Sequence, residues 1–175
     1  MKAIPIDETG RFGGYASVFD KLDESGDIVM PGAFRKSLGK RGRERIRLLF
    51  QHDPKEPVGT WEAIAEDGFG LWVEGRLVPG VPRADALRQL IERRAVDGLS
   101  IGFRTVWATR EPASGHRRLK EIDLWEISIV TFPMMDAARI APGARLPERD
   151  ARLARSHREA LSAAISLLRN QKDNP

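Results

Sequence analysis

The chain has 175 residues, and its 41% hydrophobic and 31% charged residues exclude a disordered chain and indicate a globular protein with a buried core. It contains no cysteine, which excludes disulfides, thiolate catalysis and cysteine-ligated metals and agrees with a reducing cytoplasm. The net charge is only +4, so no nucleic-acid partner is predicted, and no apolar run approaches the roughly 18 residues that span a membrane.

A short strand, an acidic loop and a short helix are predicted in the first 40 residues. The strand is 15–19, which follows a pair of glycines. The acidic residues of 20–27 lack the ligand order of a calcium-binding EF-hand, so they predict a solvated loop. Pro31 opens a helix that runs to about Leu38, where Gly39 is placed to end it.

The next predicted strand covers residues 45–52. One of its faces contains three apolar residues and then a histidine: Ile46, Leu48, Phe50 and His52. Pro54 ends the strand, because proline cannot donate to a central ladder. His52 is therefore predicted at the rim of an apolar face, half-buried and half-accessible.

Two further strands, 58–65 and 71–78, are joined by a turn. Pro82 suits the first position of a helix that extends to about Ala95. The helix has one predicted buried stripe, formed by Ala84, Leu87, Leu90 and Ile91.

Ser100 lies in the predicted strand 99–107, on the face opposite Leu99 and Ile101. The same face as Leu99 is predicted to include Phe103, Thr105 and Trp107. Gly98 and Gly102 flank the serine, which allows a substrate or another backbone to approach closely.

The last strand is predicted over about 119–132 and is expected to be central, since its middle is apolar on both faces. Glu126 is the charged member of a mostly apolar face that also contains Ile122, Leu124, Ser128, Val130 and Phe132. Asp123 lies nearby on the opposite face. These elements predict a mainly β fold with short helices (α+β), barrel-like, over residues 1–140. Residues 141–175 are predicted to form a basic helical tail, whose interleaved acids favour an exposed helix over a nucleic-acid arm.

Three kinds of catalytic site are open to a protein without cysteine: a metal site, a carboxylate pair or an activated serine. The histidines 52, 116 and 157 are dispersed, so no metal site and no cofactor is predicted. No carboxylate pair stands out, although none is excluded. A serine needs a base to take its proton and a third group to orient that base, and Ser100, His52 and Glu126 could supply these roles. The pattern alone equally allows a structural histidine and a glutamate paired with an arginine.

Five segments of the chain resemble, in the same order, the sequence blocks of the tailed-phage prohead protease family. They are Gly14–Phe19, Gly26–Phe34, Leu49–Pro54, Asp97–Phe103 and Leu124–Pro133, and together they span roughly residues 13 to 140. Each block is weak evidence by itself, but five in order are specific. The resemblance implies a serine protease related in fold to the herpesvirus assemblins, a β-barrel surrounded by helices.

By position, the resemblance makes His52 the catalytic histidine, Ser100 the nucleophile and Glu126 the third, acidic member, with Asp123 as the alternative. The second histidine and the arginine pair of the assemblins have no recognisable match here. The implied activity is an endopeptidase that cleaves scaffold, or the scaffolding segment of the major capsid protein, during prohead maturation. It would act inside the immature capsid, in the host bacterial cytoplasm, for a phage or a gene transfer agent.

The resemblance also implies self-cleavage, in which the segment after Pro142 would be a removable or shell-targeting tail. Two alternatives remain at this point. One is a non-catalytic capsid-assembly scaffold module of the same fold. The other is an unrelated barrel-like binding domain, in which His52 and Ser100 would lie far apart.

Overall fold

In the computed structural model, the part of the chain that is described, residues 5–142, contains seven strands and a few short helices. In chain order these elements are β1 (Arg11–Val18), β2 (Asp27–Val29), α1 (Arg35–Arg41), a 3-10 turn (Arg43–Arg45), β3 (Arg47–Phe50), β4 (Asp53–Glu66), β5 (Gly70–Leu77), α2 (Pro82–Glu92), β6 (Gly98–Arg110) and β7 (Arg117–Val130). The predicted mainly β fold with short helices is confirmed. The predicted helix of the basic tail falls after residue 142, outside the described residues.

All seven strands belong to one sheet, with the order β1-β5-β4-β3-β7-β2 and with β6 paired to β7. The predicted central strand is β7, which is antiparallel to β6 and parallel to both β2 and β3. Arg139 and Ile140 make isolated bridges to Gly98, at the start of β6, and to Gly14 in β1. These bridges connect the two far sides of the curled sheet, and the strand that contains Ser100 begins beside them.

The two helices cover one main hydrophobic core. Helix α2 begins at Pro82 and buries Ala84, Leu87 and Ile91. Leu90, predicted in the same stripe, is instead exposed, because it lies about 100° around the helix from Ile91, at the flank of the buried stripe. No helix of residues 5–142 is both long enough and apolar enough to cross a membrane.

Helix α1 lies later in the chain than predicted: it begins at Arg35 rather than at Pro31 and ends at Arg41 rather than at about Leu38. It continues through Gly39 to Arg41, since Gly39 keeps a helical backbone and does not take the positive φ that would end the helix. The left-handed residue that ends the helix is Gly42, with φ of +67°, and its N–H donates to the carbonyl of Leu38.

The predicted solvated loop 20–27 is wrong at its last residue. Asp27 begins β2, is only 2% exposed and receives two hydrogen bonds from the Arg117 guanidinium, at 2.6 and 2.5 Å. Burial of a carboxylate is costly unless it is paired, and the bidentate arginine supplies that pairing. The acidic residue is therefore part of the junction between β2 and β7.

Two aromatic residues predicted on strand faces are exposed. Trp107 lies between two register shifts of the β6–β7 pair, which remove it from the face of Leu99. Phe132 is 89% exposed, because β7 ends at Val130.

Candidate active site

His52 lies in a tight turn rather than at the end of a strand. Strand β3 stops at Phe50, and β4 begins at Asp53, which pairs with Phe50. The two residues between them, Gln51 and His52, have φ of +53° and +59°. Positive φ at both central residues is the signature of a type I′ hairpin turn. The predicted continuation of the apolar face through His52 is wrong, although Ile46 and Leu48 are buried in the core as predicted.

The hairpin turn is attached to the end of β7. The Gln51 N–H donates to the carbonyl of Ile129 at 3.0 Å, and the Gln51 side-chain amide donates to Thr131 Oγ1 at 2.8 Å. Left-handed backbone at a residue other than glycine persists only where its surroundings hold it. These contacts hold the turn so that the imidazole of His52 lies over the sheet next to β6 and β7.

Glu126 is brought to the same place by a β-bulge in β7. Gly102 pairs with Glu126 and Phe103 pairs with Leu124, so Trp125 is an extra residue with no partner opposite. An extra residue reverses the alternation of faces along the strand. Leu124 and Ile127 therefore both face the core, and Glu126 faces outward. The predicted shared face of Glu126 with Ile122 and Leu124 is wrong for this reason.

The three residues form one hydrogen-bonded chain. His52 Nδ1 lies 2.6 Å from Glu126 Oε1, and His52 Nε2 lies 2.9 Å from Ser100 Oγ. The histidine side chain is 41% exposed and that of the glutamate 13% exposed. Because a carboxylate oxygen accepts, the Nδ1–H donates to Glu126, which leaves the Nε2 lone pair facing the serine hydroxyl. A serine, a base and an orienting acid are thus assembled from β6, the β3–β4 turn and β7.

The Glu126 carboxylate is seated between two residues that sequence reasoning did not single out for this role. Ser128 Oγ donates to Glu126 Oε2 at 2.7 Å and accepts the backbone N–H of His52 at 3.0 Å. On the facing strand, a Cβ atom added to Gly102 would lie 1.9 Å from Glu126 Oε1 and 2.7 Å from its Cδ. Glycine at this position therefore leaves the space in which the carboxylate lies. The available signal in the sequence was spacing: Ser128 lies two residues after Glu126, and Gly102 lies two residues after Ser100.

Asp123, the alternative third member, is occupied elsewhere. Its two carboxylate oxygens accept from the Arg41 guanidinium at 2.8 and 2.7 Å, and Trp125 Nε1 donates to it at 2.8 Å. The Arg41 hydrogen bonds, followed by that of Trp125, hold the pKa of Asp123 well below its usual range. Its partners are therefore those of a structural ion pair.

Among the described residues, no other histidine joins this site. His116 lies in the turn between β6 and β7, and His157 is outside the described residues. Within residues 5–142 no cluster of three or more histidine, aspartate or glutamate side chains could hold a metal ion.

Comparisons with known proteins identify the family of this chain. The model of the family described as caudovirus prohead serine protease matches residues 2–151. The prohead protease of Enterobacteria phage HK97 is 39% identical, over 81% of this chain and 68% of that protein. The prohead protease of Escherichia phage T5 is 29% identical, over 69% of this chain and 56% of that protein.

Two solved protease structures share the fold. The capsid assembly protease of bacteriophage T4 superposes with a TM-score of 0.58 at 15% identity, over 74% of this chain and 89% of that one. The KSHV protease, solved with a hexapeptide phosphonate inhibitor, gives 0.52 at 13% identity, over 77% and 65%. The family resemblance seen in the five blocks is confirmed: the chain belongs to the caudovirus prohead serine protease family.

Proposed function

We propose that this member of the family is the endopeptidase of prohead maturation, with Ser100 as nucleophile, His52 as general base and Glu126 as the residue that orients His52. The substrates would be scaffold or the scaffolding segment of the major capsid protein, cut inside the immature capsid. The single observation that carries this proposal is the unbroken hydrogen-bonded chain from Glu126 through His52 to Ser100.

The geometry supports the following sequence of proton and acyl transfers. His52 Nε2 takes the proton of Ser100 as Oγ attacks the scissile carbonyl, and it then gives that proton to the leaving amine. A water molecule, activated by the same nitrogen, hydrolyses the acyl-serine and regenerates the hydroxyl. Throughout, Glu126 Oε1 holds the Nδ1–H tautomer and stabilises the imidazolium.

The geometry of the site argues against both alternative functions that the sequence left open. The unrelated binding domain required His52 and Ser100 to lie far apart, and this is wrong, since their atoms are 2.9 Å apart. A scaffold module without catalysis is not favoured, because a non-catalytic role would not require three polar side chains in this arrangement.

The finer features remain part of the proposal. We expect an assemblin-like barrel surrounded by helices, self-cleavage, and a tail over 141–175 that is removed or that targets the shell. The name of the T4 capsid assembly protease and its shared fold support the same capsid setting.

The test is Ser100→Ala, assayed by incubation with the capsid precursor and sequencing of new termini. We expect cleavage to fall by about 10⁴-fold or more while the protein stays folded. A fluorophosphonate should label the wild type at Ser100 and leave the variant unlabelled. Ser114→Ala, at an exposed serine in the β6–β7 turn, is the matched control. It should still cleave the precursor and still be labelled at Ser100. Continued cleavage by Ser100→Ala would end the assignment.

A further inference from the structure

We propose that Ser128 is a positioning residue of this site, which fixes the Glu126 carboxylate and the His52 backbone with one hydroxyl group. This inference rests on the proposed triad and adds a residue to it. The hydrogen bonds of Ser128 go to Glu126 and to the His52 backbone rather than to Ser100, so its effect on the reaction would pass through these two partners.

Ser128 occupies the middle of the site. It lies directly opposite Ser100 in the β6–β7 pair and beside Leu49 in the β3–β7 pair. Its exposed fraction is 0%. A hydroxyl buried to this extent is costly unless its hydrogen bonds are satisfied, which makes its partners informative.

The direction of both hydrogen bonds is determined. The His52 backbone nitrogen can only donate, so the Ser128 oxygen accepts there at 3.0 Å. The single hydroxyl proton is then available for Glu126 Oε2, at 2.7 Å. With Oε2 occupied, Glu126 presents Oε1 to His52 Nδ1. One serine therefore contacts the backbone of the histidine and the carboxylate that orients its ring.

The need for such a residue follows from the backbone of His52. Its φ of +59° is unfavourable for a residue with a side chain, so the turn must be held from outside. Loss of the Ser128 hydroxyl would leave the His52 N–H and one oxygen of Glu126 without these partners. Reaction rates are sensitive to such changes, because a displacement of about 1 Å can cost about 100-fold.

The first test is Ser128→Ala, with Ser37→Ala as its control. Ser37 is also a buried serine whose oxygen accepts a backbone N–H of β7, that of Leu124, at 2.8 Å. We expect Ser128→Ala to lower kcat by about 10- to 100-fold with KM within about twofold. The low-field NMR resonance of the His52 Nδ1 proton should broaden or move. Ser37→Ala should leave both unchanged. Wild-type kcat and an unmoved resonance in folded Ser128→Ala would overturn the proposal.

A second test separates positioning from general support of the fold. Residues that act as a unit are strongly non-additive, and both partners of Ser128 act through the imidazole of His52, so in a His52→Ala background Ser128→Ala should lower the residual kcat by less than about threefold further. A full additional 10- to 100-fold loss there would contradict the proposal. If Ser128→Ala fails to fold, Ser128→Cys, of similar volume but with a weak donor, replaces it, and the same loss of kcat is expected.

These outcomes are distinct from failure of the proposed function. If Ser100→Ala still cleaved the capsid precursor, Ser100 would not be the nucleophile and the proposed triad would be wrong. If Ser100→Ala were inactive while Ser128→Ala or Ser128→Cys were fully active, the proposed triad would stand. Only the positioning role of Ser128 would then be contradicted.

Discussion

Two carboxylates of β7, Asp123 and Glu126, lie three residues apart on either side of the bulge at Trp125 and have opposite surroundings. Asp123 faces the Arg41 guanidinium and accepts two hydrogen bonds from it. Glu126 faces the imidazole of His52 and a buried hydroxyl. From the sequence alone, both acids were candidates for the same role.

The difference shows that a carboxylate's role is set by its partner. A guanidinium is permanently charged and occupies both oxygens, so the Asp123 pair holds α1 against β7 and exchanges no proton. An imidazole can gain and lose a proton near neutral pH, so the same functional group beside His52 can assist acid–base chemistry. The bulge puts both acids on the outer face of β7, and their different positions along the strand, opposite Arg104 and opposite Gly102, give them different neighbours.

Replacing each carboxylate by the corresponding amide and measuring kcat tests this contrast directly. Glu126→Gln should lower kcat by about 10³- to 10⁴-fold, because the amide cannot stabilise the imidazolium and can stabilise the wrong tautomer. Asp123→Asn should change kcat by less than about twofold, because its contacts are not made to reacting groups. Cleavage of capsid precursor under single-turnover conditions measures both. The reverse pattern would make Asp123 the third member.

Gly102→Ala should displace the Glu126 carboxylate without changing its chemistry. The added methyl would overlap the carboxylate, which can swing away only by leaving His52, so we expect kcat to fall by about 10- to 100-fold in a folded protein. Gly39→Ala is the matched control: nothing lies within 4 Å of its added Cβ, and it should raise the free energy of unfolding by about 0.5–1 kcal/mol with kcat unchanged. Unaltered kcat in Gly102→Ala would show that the carboxylate tolerates displacement.

A smaller effect, on the free energy of unfolding, is expected from loss of the Asp123 ion pair. Its pKa in the folded protein lies below the ordinary value of 3.8, so its ion pair contributes stability that is fully present above pH 3.8. That contribution is lost as the pH falls through the folded-state pKa. Asp123→Asn should therefore lower the free energy of unfolding by about 1 kcal/mol at pH 7. In urea titrations, the difference from wild type should shrink progressively below pH 3.8; a difference independent of pH would contradict the ion-pair account.

Local patterns determined the class of fold and the identity of the candidate residues. Alternation over 45–50 identified β3 and its buried face, and the doubly apolar stretch 127–130 identified β7 as a central strand. Ser100 lies on the face of β6 opposite Leu99, as expected, where it meets His52, and its exposed fraction is only 6%. These features depend on neighbours along the chain, so period-two reasoning finds them.

The assembly of the site depends on contacts between residues that are distant in the sequence. The bulge at Trp125 reverses the faces of β7 through one extra residue, which alternation cannot anticipate. The left-handed turn at Gln51 and His52 carries no glycine signal, and it is held by contacts with β7 more than 70 residues later in the chain. The residues that could react were therefore predictable from local patterns alone. Long-range pairing of strands places Glu126, rather than Asp123, beside His52. It also places Ser128 where its hydroxyl forms hydrogen bonds with both Glu126 and His52.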